Sequence, residues 1–220
     1  MAPASGPGKG AGSSEALPGG STTTEHALGP KQSVSYGVWN VRGFVQRDYC
    51  RLRENVITAT DLDIVCLCET FLRNSEIISI EGYKWFGHNR TNISKRAVRG
   101  SGGVGVLVKE SMFDRFSIDV VDKRHEDILW LACTQINNPD NTIFIGVCYL
   151  PPAASSRGDK SHDVFDTLRC QCLKFQDKGE ILICGDFNAR IGSLNDMSDV
   201  TQTRLPQRQI IDYTTNSHGK

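Results

Sequence analysis

Four apolar, strand-like runs of this chain each end at a polar residue that suits phosphate chemistry. The residues at these four ends are Asn40, Glu69, Tyr149 and Asp186. Short apolar runs bounded by turn residues are typical of buried strands. Rigid strands that deliver polar groups to one rim are a recurring way to build a site on an α/β scaffold. We therefore expect these four side chains to lie close together at one edge of the fold.

The spacing of the other elements predicts an α/β fold. Apolar residues recur at helical spacing over residues 47–60 and 162–178, which predicts two helices. Consecutive strands at residues 128–136 and 142–150 predict a hairpin, with residues 137–141 as its turn. Because strands alternate with helices but two strands form a hairpin, we expect a mixed sheet and not a purely parallel one.

The first 33 residues differ in composition from the rest of the chain. They contain seven Gly and four Pro, and Ser and Thr make up much of the remainder. Such a segment cannot bury enough apolar surface to offset its ordering entropy, so we predict a disordered tail over residues 1–33. Residues 34–220 could bury about 70% of their unfolded surface, which is enough for one domain.

Charge and cysteine content restrict the classes of function. The chain has 25 Lys and Arg against 25 Asp and Glu, so any contact with nucleic acid must come from a local basic patch. Eight cysteines without a secretory signal indicate free thiols in a reducing compartment. We expect a nuclear or cytoplasmic protein that is not secreted. No apolar run approaches membrane-spanning length, so we expect no membrane partner.

The residues at the strand ends have the chemistry of a metal-assisted hydrolytic site. Asp186 could orient or deprotonate a water molecule, and Asn188 could hold that water or a phosphate oxygen. Glu69 follows an apolar run directly, and a carboxylate at this place suits a hard cation such as Mg²⁺. Each residue alone also has a simpler interpretation, because Glu and Asn are common in solvated loops and turns. Tyr149 alone could be an ordinary aromatic residue at a strand end.

Residues 84–99 form a basic segment that contains no acidic residue. Its cations are Lys84, Arg90, Lys95, Arg96 and Arg99, and Trp85, Phe86 and His88 lie among them. Such a segment could neutralise the phosphates of a nucleic acid while its aromatic residues contact sugar or base. The alternative is a solvated basic loop whose aromatic residues turn into the core.

Five short motifs resemble the endonuclease/exonuclease/phosphatase superfamily in order and approximate spacing. They are Trp39-Asn40-Val41-Arg42-Gly43, Cys68-Glu69-Thr70, Gly100-Ser101-Gly102-Gly103-Val104-Gly105, Tyr149-Leu150-Pro151-Pro152 and Gly185-Asp186-Phe187-Asn188. The chain is most similar to the apurinic-endonuclease-type domain of non-LTR retrotransposon polyproteins. This resemblance covers residues 34–220 and implies a four-layered α/β sandwich with mixed sheets.

The resemblance also implies roles for the site residues. Glu69 and Asn40 would hold Mg²⁺ or Mn²⁺, Tyr149 would contact phosphate, and Asp186 and Asn188 would orient the water and support the transition state. The implied reaction is hydrolysis of a phosphodiester in DNA. Two alternatives remain: a non-catalytic nucleic-acid-binding remnant, and a phosphatase or lipid phosphodiesterase of the same superfamily.

One part of the family pattern is not found in the sequence. The family's last strand carries Ser-Asp-His, whereas this chain has Ser198-Asp199 followed by Val200, and Ser217-His218 without an intervening Asp. We therefore expect a domain that lacks its last strands and has weak or no nuclease activity by itself. The loss of one transition-state donor commonly costs about 10²–10³ in rate.

Overall fold

The computed structural model describes residues 33–45, 49–93, 97, 99–152, 155, 161–190, 192 and 213–219. Residues 1–32, which make up nearly all of the predicted tail, lie outside the described residues, so the tail stays a prediction. Within the described residues the chain forms eight strands, two α-helices and two short 3-10 helices, at Glu110–Asp114 and Ser217–Gly219.

The first sheet has four strands in the order β1-β2-β4-β3. These are β1 (Tyr36–Asn40), β2 (Ile64–Cys68), β3 (Tyr83–His88) and β4 (Val104–Lys109). β1 pairs with β2 in parallel, and β4 runs antiparallel to both β2 and β3. Every residue of β2 is buried, as expected for an apolar strand in the middle of a sheet.

The second sheet has the order β5-β6-β7-β8. It contains β5 (Phe116–Asp122), β6 (Ile128–Gln135), β7 (Asn138–Tyr149) and β8 (Glu180–Asp186). β5, β6 and β7 are antiparallel neighbours, whereas β8 runs parallel to β7. The expected mixed pairing is therefore present in both sheets.

The two sheets stack face to face, and a helix covers the outer face of each. Side chains such as Cys66, Val106, Leu129 and Val147 fill the space between the sheets. Helix α1 (Cys50–Thr60) buries Ile57 against the outer face of the first sheet. Helix α2 (Ser161–Phe175) packs Val164, Leu168 and Phe175 against Trp130 and Phe144 of the second sheet. These layers confirm the four-layered α/β sandwich. Neither of the described α-helices has the length and apolar character that a membrane span needs.

The structure corrects two details of the sequence prediction. The predicted hairpin turn at residues 137–141 is shorter, because β7 already begins at Asn138. The pairing jumps from Thr134–Thr142 to Gln135–Asn138, so Pro139 needs no ladder partner. In addition, residues 83–88 form β3, so the basic segment begins in a strand and not in a loop.

Candidate active site

The ends of β1 and β8 meet through a direct hydrogen bond between their polar residues. Asn40 Nδ2 donates to Asp186 Oδ2 at 2.5 Å. Asn40 is paired in register with Cys68, the residue before Glu69, and Tyr149 is paired with Asp186. The structure therefore brings all four strand-end residues to one end of the sandwich, as the sequence pattern predicts.

Asp186 and Asn188 form a tight turn at the end of β8. Asn188 donates its backbone N–H to Asp186 Oδ1 at 2.9 Å and its side-chain Nδ2 to the carbonyl of Leu150 at 2.8 Å. Asn188 has a φ of +45° and Gly185 a φ of +138°. A Cβ at Gly185 would lie only 1.9 Å from the carbonyl oxygen of Cys148, so only glycine allows β8 to approach β7 here.

Glu69 is held in a left-handed backbone conformation by hydrogen bonds on both sides of its loop. Its φ is +53°, a conformation that costs a non-glycine residue about 1–3 kcal/mol. Its carbonyl accepts from the N–H of Gly43 at 2.7 Å, and Thr70 N–H donates to the carbonyl of Gly103 at 3.2 Å. The motifs after β1, after β2 and before β4 thus join around Glu69. Backbone strain at both Glu69 and Asn188 is typical of functional sites.

Tyr149 is 7% exposed, and the Glu69 carboxylate lies close to its phenol. Burial is the main cause that raises the pKa of Tyr149 well above its ordinary value, and the neighbouring Glu69 carboxylate raises it further. Tyr149 therefore stays protonated at neutral pH and remains a hydrogen-bond donor.

Arg90 does not lie on the surface, which corrects its predicted role as a nucleic-acid contact. It is 3% exposed, and its guanidinium forms an ion pair with Asp127. Its Nε donates to Asp127 Oδ1 at 2.8 Å. Burial raises the pKa of Asp127, and the neighbouring Arg90 lowers it only in part. The guanidinium is therefore held by Asp127 in a buried position and is not part of the exposed basic surface.

The other residues of the basic segment have different placements. Lys84 is paired with Val108, four residues from the site end of β4 and so roughly 13 Å away along the strand. Its Nζ lies over the rings of Phe86 and Phe113. Lys95 and Arg96 lie outside the described residues. Arg99 is exposed and lies over the ring of Phe71, in the loop that carries Glu69, so it stays a candidate contact.

Two further residues support the site and were not singled out by the sequence analysis. Arg42 is exposed, and its backbone N–H donates to Asn40 Oδ1 at 3.2 Å. Asn216 Nδ2 donates to the carbonyl of Asn188 at 2.8 Å, while its Oδ1 accepts from the N–H of Arg190 at 2.9 Å. Arg42 belongs to the first family-like motif, so its place near the site could have been predicted from the sequence. Asn216 is separated from Asn188 by 28 positions, and spacing alone gives no sign of their contact.

The donor set fits a hard divalent cation. Glu69 and Asp186 offer carboxylate oxygens and Asn40 an amide oxygen, which are the ligand types that Mg²⁺ prefers. No group of three or more His, Cys, Asp or Glu in the described part of the chain is arranged to hold a metal ion. This is compatible with Mg²⁺, which is commonly bound through one or two carboxylates together with water and substrate phosphate.

Comparisons with known proteins identify the family of this chain and other structures with its fold. The model of the Endonuclease/Exonuclease/phosphatase family matches residues 37–214. The chain belongs to this family. No curated protein matches the sequence.

Among the solved structures that match, three illustrate the shared fold. An AP endonuclease of Leishmania major is 16% identical, with a TM-score of 0.58, over 72% of this chain and 56% of its own. A 3′ phosphatase of Neisseria, bound to a product DNA hairpin, is 13% identical, with a TM-score of 0.52, over 73% of this chain and 60% of its own. The catalytic domain of human nocturnin, with a bound sulfate anion, is 17% identical, with a TM-score of 0.52, over 71% of this chain and 64% of its own. The chain thus spans less than two thirds of each of these structures.

Proposed function

We propose that this chain carries the site of a divalent-metal-dependent DNA endonuclease of the retrotransposon type. The observation that carries the proposal is the meeting of Asn40, Asp186, Tyr149 and Glu69 at the same end of both sheets. In the proposal Glu69 and Asn40 hold the metal ion. Asp186, Asn188 and Tyr149 act on the water and the phosphate.

The hydrogen bonds of Asp186 suit it to orient the attacking water. Both of its oxygens already accept a bond, one from Asn40 and one from the backbone of Asn188, so the carboxylate orientation is fixed. Each carboxylate oxygen has a further lone pair, and one of these can accept a proton from water. One N–H of the Asn188 side chain binds Leu150, which leaves the second to donate to an oxygen of the phosphate.

A Mg²⁺ or Mn²⁺ ion held by Glu69 and Asn40 would act as a Lewis acid on the scissile phosphate and neutralise its developing charge. Tyr149 stays protonated beside Glu69 and presents a hydroxyl at the same place. Because the phenol has a single proton, it can orient the Glu69 carboxylate in the free protein and donate instead to a phosphate oxygen when the substrate is bound.

DNA as the substrate is supported by the charge around the site. Arg42, Arg99 and Arg190 are exposed and come from the loops after β1, before β4 and after β8. Positive charge that neutralises phosphates supplies much of the affinity for DNA. The motif Tyr149-Leu150-Pro151-Pro152 and the segment from Gly82 to Arg90 favour the retrotransposon branch. Such a substrate agrees with the predicted nuclear or cytoplasmic location.

Nicking of supercoiled plasmid DNA tests the proposal. We expect slow, metal-dependent nicking by the 220-residue chain, because the Ser-Asp-His pattern is not among its residues. The activity should be lost in Asp186→Asn and in Glu69→Gln, and retained in Lys178→Gln, which removes a charge from the turn after α2. Turnover of phosphomonoesters or phosphoinositides without nicking would instead select the phosphatase alternative.

A second candidate is a non-catalytic nucleic-acid-binding domain. It is favoured by the three exposed arginines, Arg42, Arg99 and Arg190, whose charges suit contact with phosphates. Salt-sensitive DNA binding that is equal in the wild type and in Glu69→Ala, with no cleavage at any metal concentration, would select this candidate.

A further inference from the structure

We propose that Arg90, held by Asp127, is a positioning residue that fixes the ring of Tyr149 and, through its hydroxyl, the carboxylate of Glu69. This inference rests on the proposed function, because it assigns Glu69 to the metal site. It gives Arg90 a role in the site in place of the surface contact predicted from sequence.

The ion pair joins the two sheets next to the site. Arg90 follows β3 of the first sheet, and Asp127 precedes β6 of the second. Both Nε and Nη2 of Arg90 bond to the same oxygen of Asp127, and both residues are buried. The main-chain carbonyl of Asp127 also accepts the N–H of Tyr149 at 2.9 Å. Asp127 therefore fixes both the guanidinium and the backbone of Tyr149.

The guanidinium lies on the ring of Tyr149. The central carbon of the Arg90 guanidinium is 5.4 Å from the centroid of the ring, within the range of a cation–π contact. Gly102 makes room for this arrangement, since a Cβ there would lie 2.5 Å from the same carbon. The guanidinium of Arg90 therefore explains why the glycine-rich motif before β4 has a glycine at position 102.

The contacts form one continuous line from Asp127 through Arg90 and Tyr149 to Glu69. The Tyr149 phenol lies next to the Glu69 carboxylate, so in the proposal the position of the ring determines where that carboxylate is held. Groups behind a metal ligand orient it, and their replacement typically costs about 10–100-fold in metal affinity or activity. A lysine at position 90 would keep the charge but lose the planar group that both stacks on the ring and binds Asp127 through two nitrogens.

The affinity for Mn²⁺, measured by calorimetry on the purified chain without DNA, tests this role. We expect Arg90→Lys to weaken binding by about tenfold. Arg124→Lys serves as the control, because Arg124 pairs with Asp122 on the outside of the second sheet. The control should bind Mn²⁺ like the wild type.

A double-mutant cycle with Tyr149→Phe separates positioning from a merely structural role. Tyr149→Phe keeps the ring but removes the hydroxyl, so adding Arg90→Lys should weaken Mn²⁺ binding little further. Equal affinity in Arg90→Lys and the wild type, or a full additional loss in the Tyr149→Phe background, would overturn the inference. If Glu69→Gln leaves Mn²⁺ binding unchanged, the proposed metal site itself fails. If Glu69→Gln abolishes binding but Arg90→Lys has no effect, only the role of Arg90 fails.

Discussion

Replacement of Gly185 by alanine should strongly destabilise the fold, because this residue sets how closely β8 approaches β7 beside Asp186. Its φ of +138° is a conformation in which a side chain costs about 1–3 kcal/mol. The added Cβ would lie 1.9 Å from the carbonyl oxygen of Cys148, and overpacking of this kind costs about 1–3 kcal/mol more. We therefore expect Gly185→Ala to lower the free energy of unfolding by about 2–6 kcal/mol.

Gly82→Ala provides the matched control. Gly82 also has a positive φ, of +77°, but a Cβ there would have no atom within 4 Å. Its replacement should cost only the backbone strain, about 1–2 kcal/mol. Both values can be obtained from urea unfolding followed by tryptophan fluorescence. If the two variants lose the same stability within about 0.5 kcal/mol, the contact with the Cys148 carbonyl does not hold β8 in place and the reasoning is wrong.

Three further results are expected. Asn216→Ala should speed hydrogen exchange at the amide of Arg190, which loses its acceptor, and should cost about 1–3 kcal/mol because the Asn188 carbonyl also loses its donor. Unchanged exchange would contradict a role of Asn216 in holding this turn. Burial raises the pKa of Asp63, but the bonds from Ser35 lower it more, so the folded pKa lies below the unfolded one. The stabilisation by ionised Asp63 is thus present above about pH 4 and is lost as the pH falls through the folded pKa. In Asp63→Asn, the free energy of unfolding measured by urea titration should fall less steeply at acid pH than in the wild type. Arg99→Gln should reduce the salt dependence of DNA binding by about one phosphate contact, and an unchanged slope would exclude Arg99 from the interface.

The strand ends could be predicted from sequence because two local signals coincide there. An apolar run predicts the strand, and the polar residue after it lies at the strand end whatever the rest of the fold does. Asn40, Glu69, Tyr149 and Asp186 therefore meet where the pattern indicates.

The placement of Arg90 could not be predicted in the same way. Its partner Asp127 is 37 positions away and belongs to the other sheet, so neither spacing nor charge pattern reveals the buried ion pair. Strand β3 was missed for a related reason. Lys84 and His88 make the segment polar, so its local sequence does not indicate a strand. The strand forms because it pairs with β4, and local propensity cannot predict that pairing.

Paramagnetic broadening by Mn²⁺ in the NMR spectrum tests the central claim most directly. The account predicts that small additions of Mn²⁺ broaden the amide signals of Asn40, Glu69, Asp186 and Asn188 before others. The broadening should disappear in Glu69→Gln while the rest of the spectrum keeps its folded dispersion. Broadening centred elsewhere, or unchanged broadening at these residues in Glu69→Gln, would contradict a divalent-metal site at the meeting point of these strands.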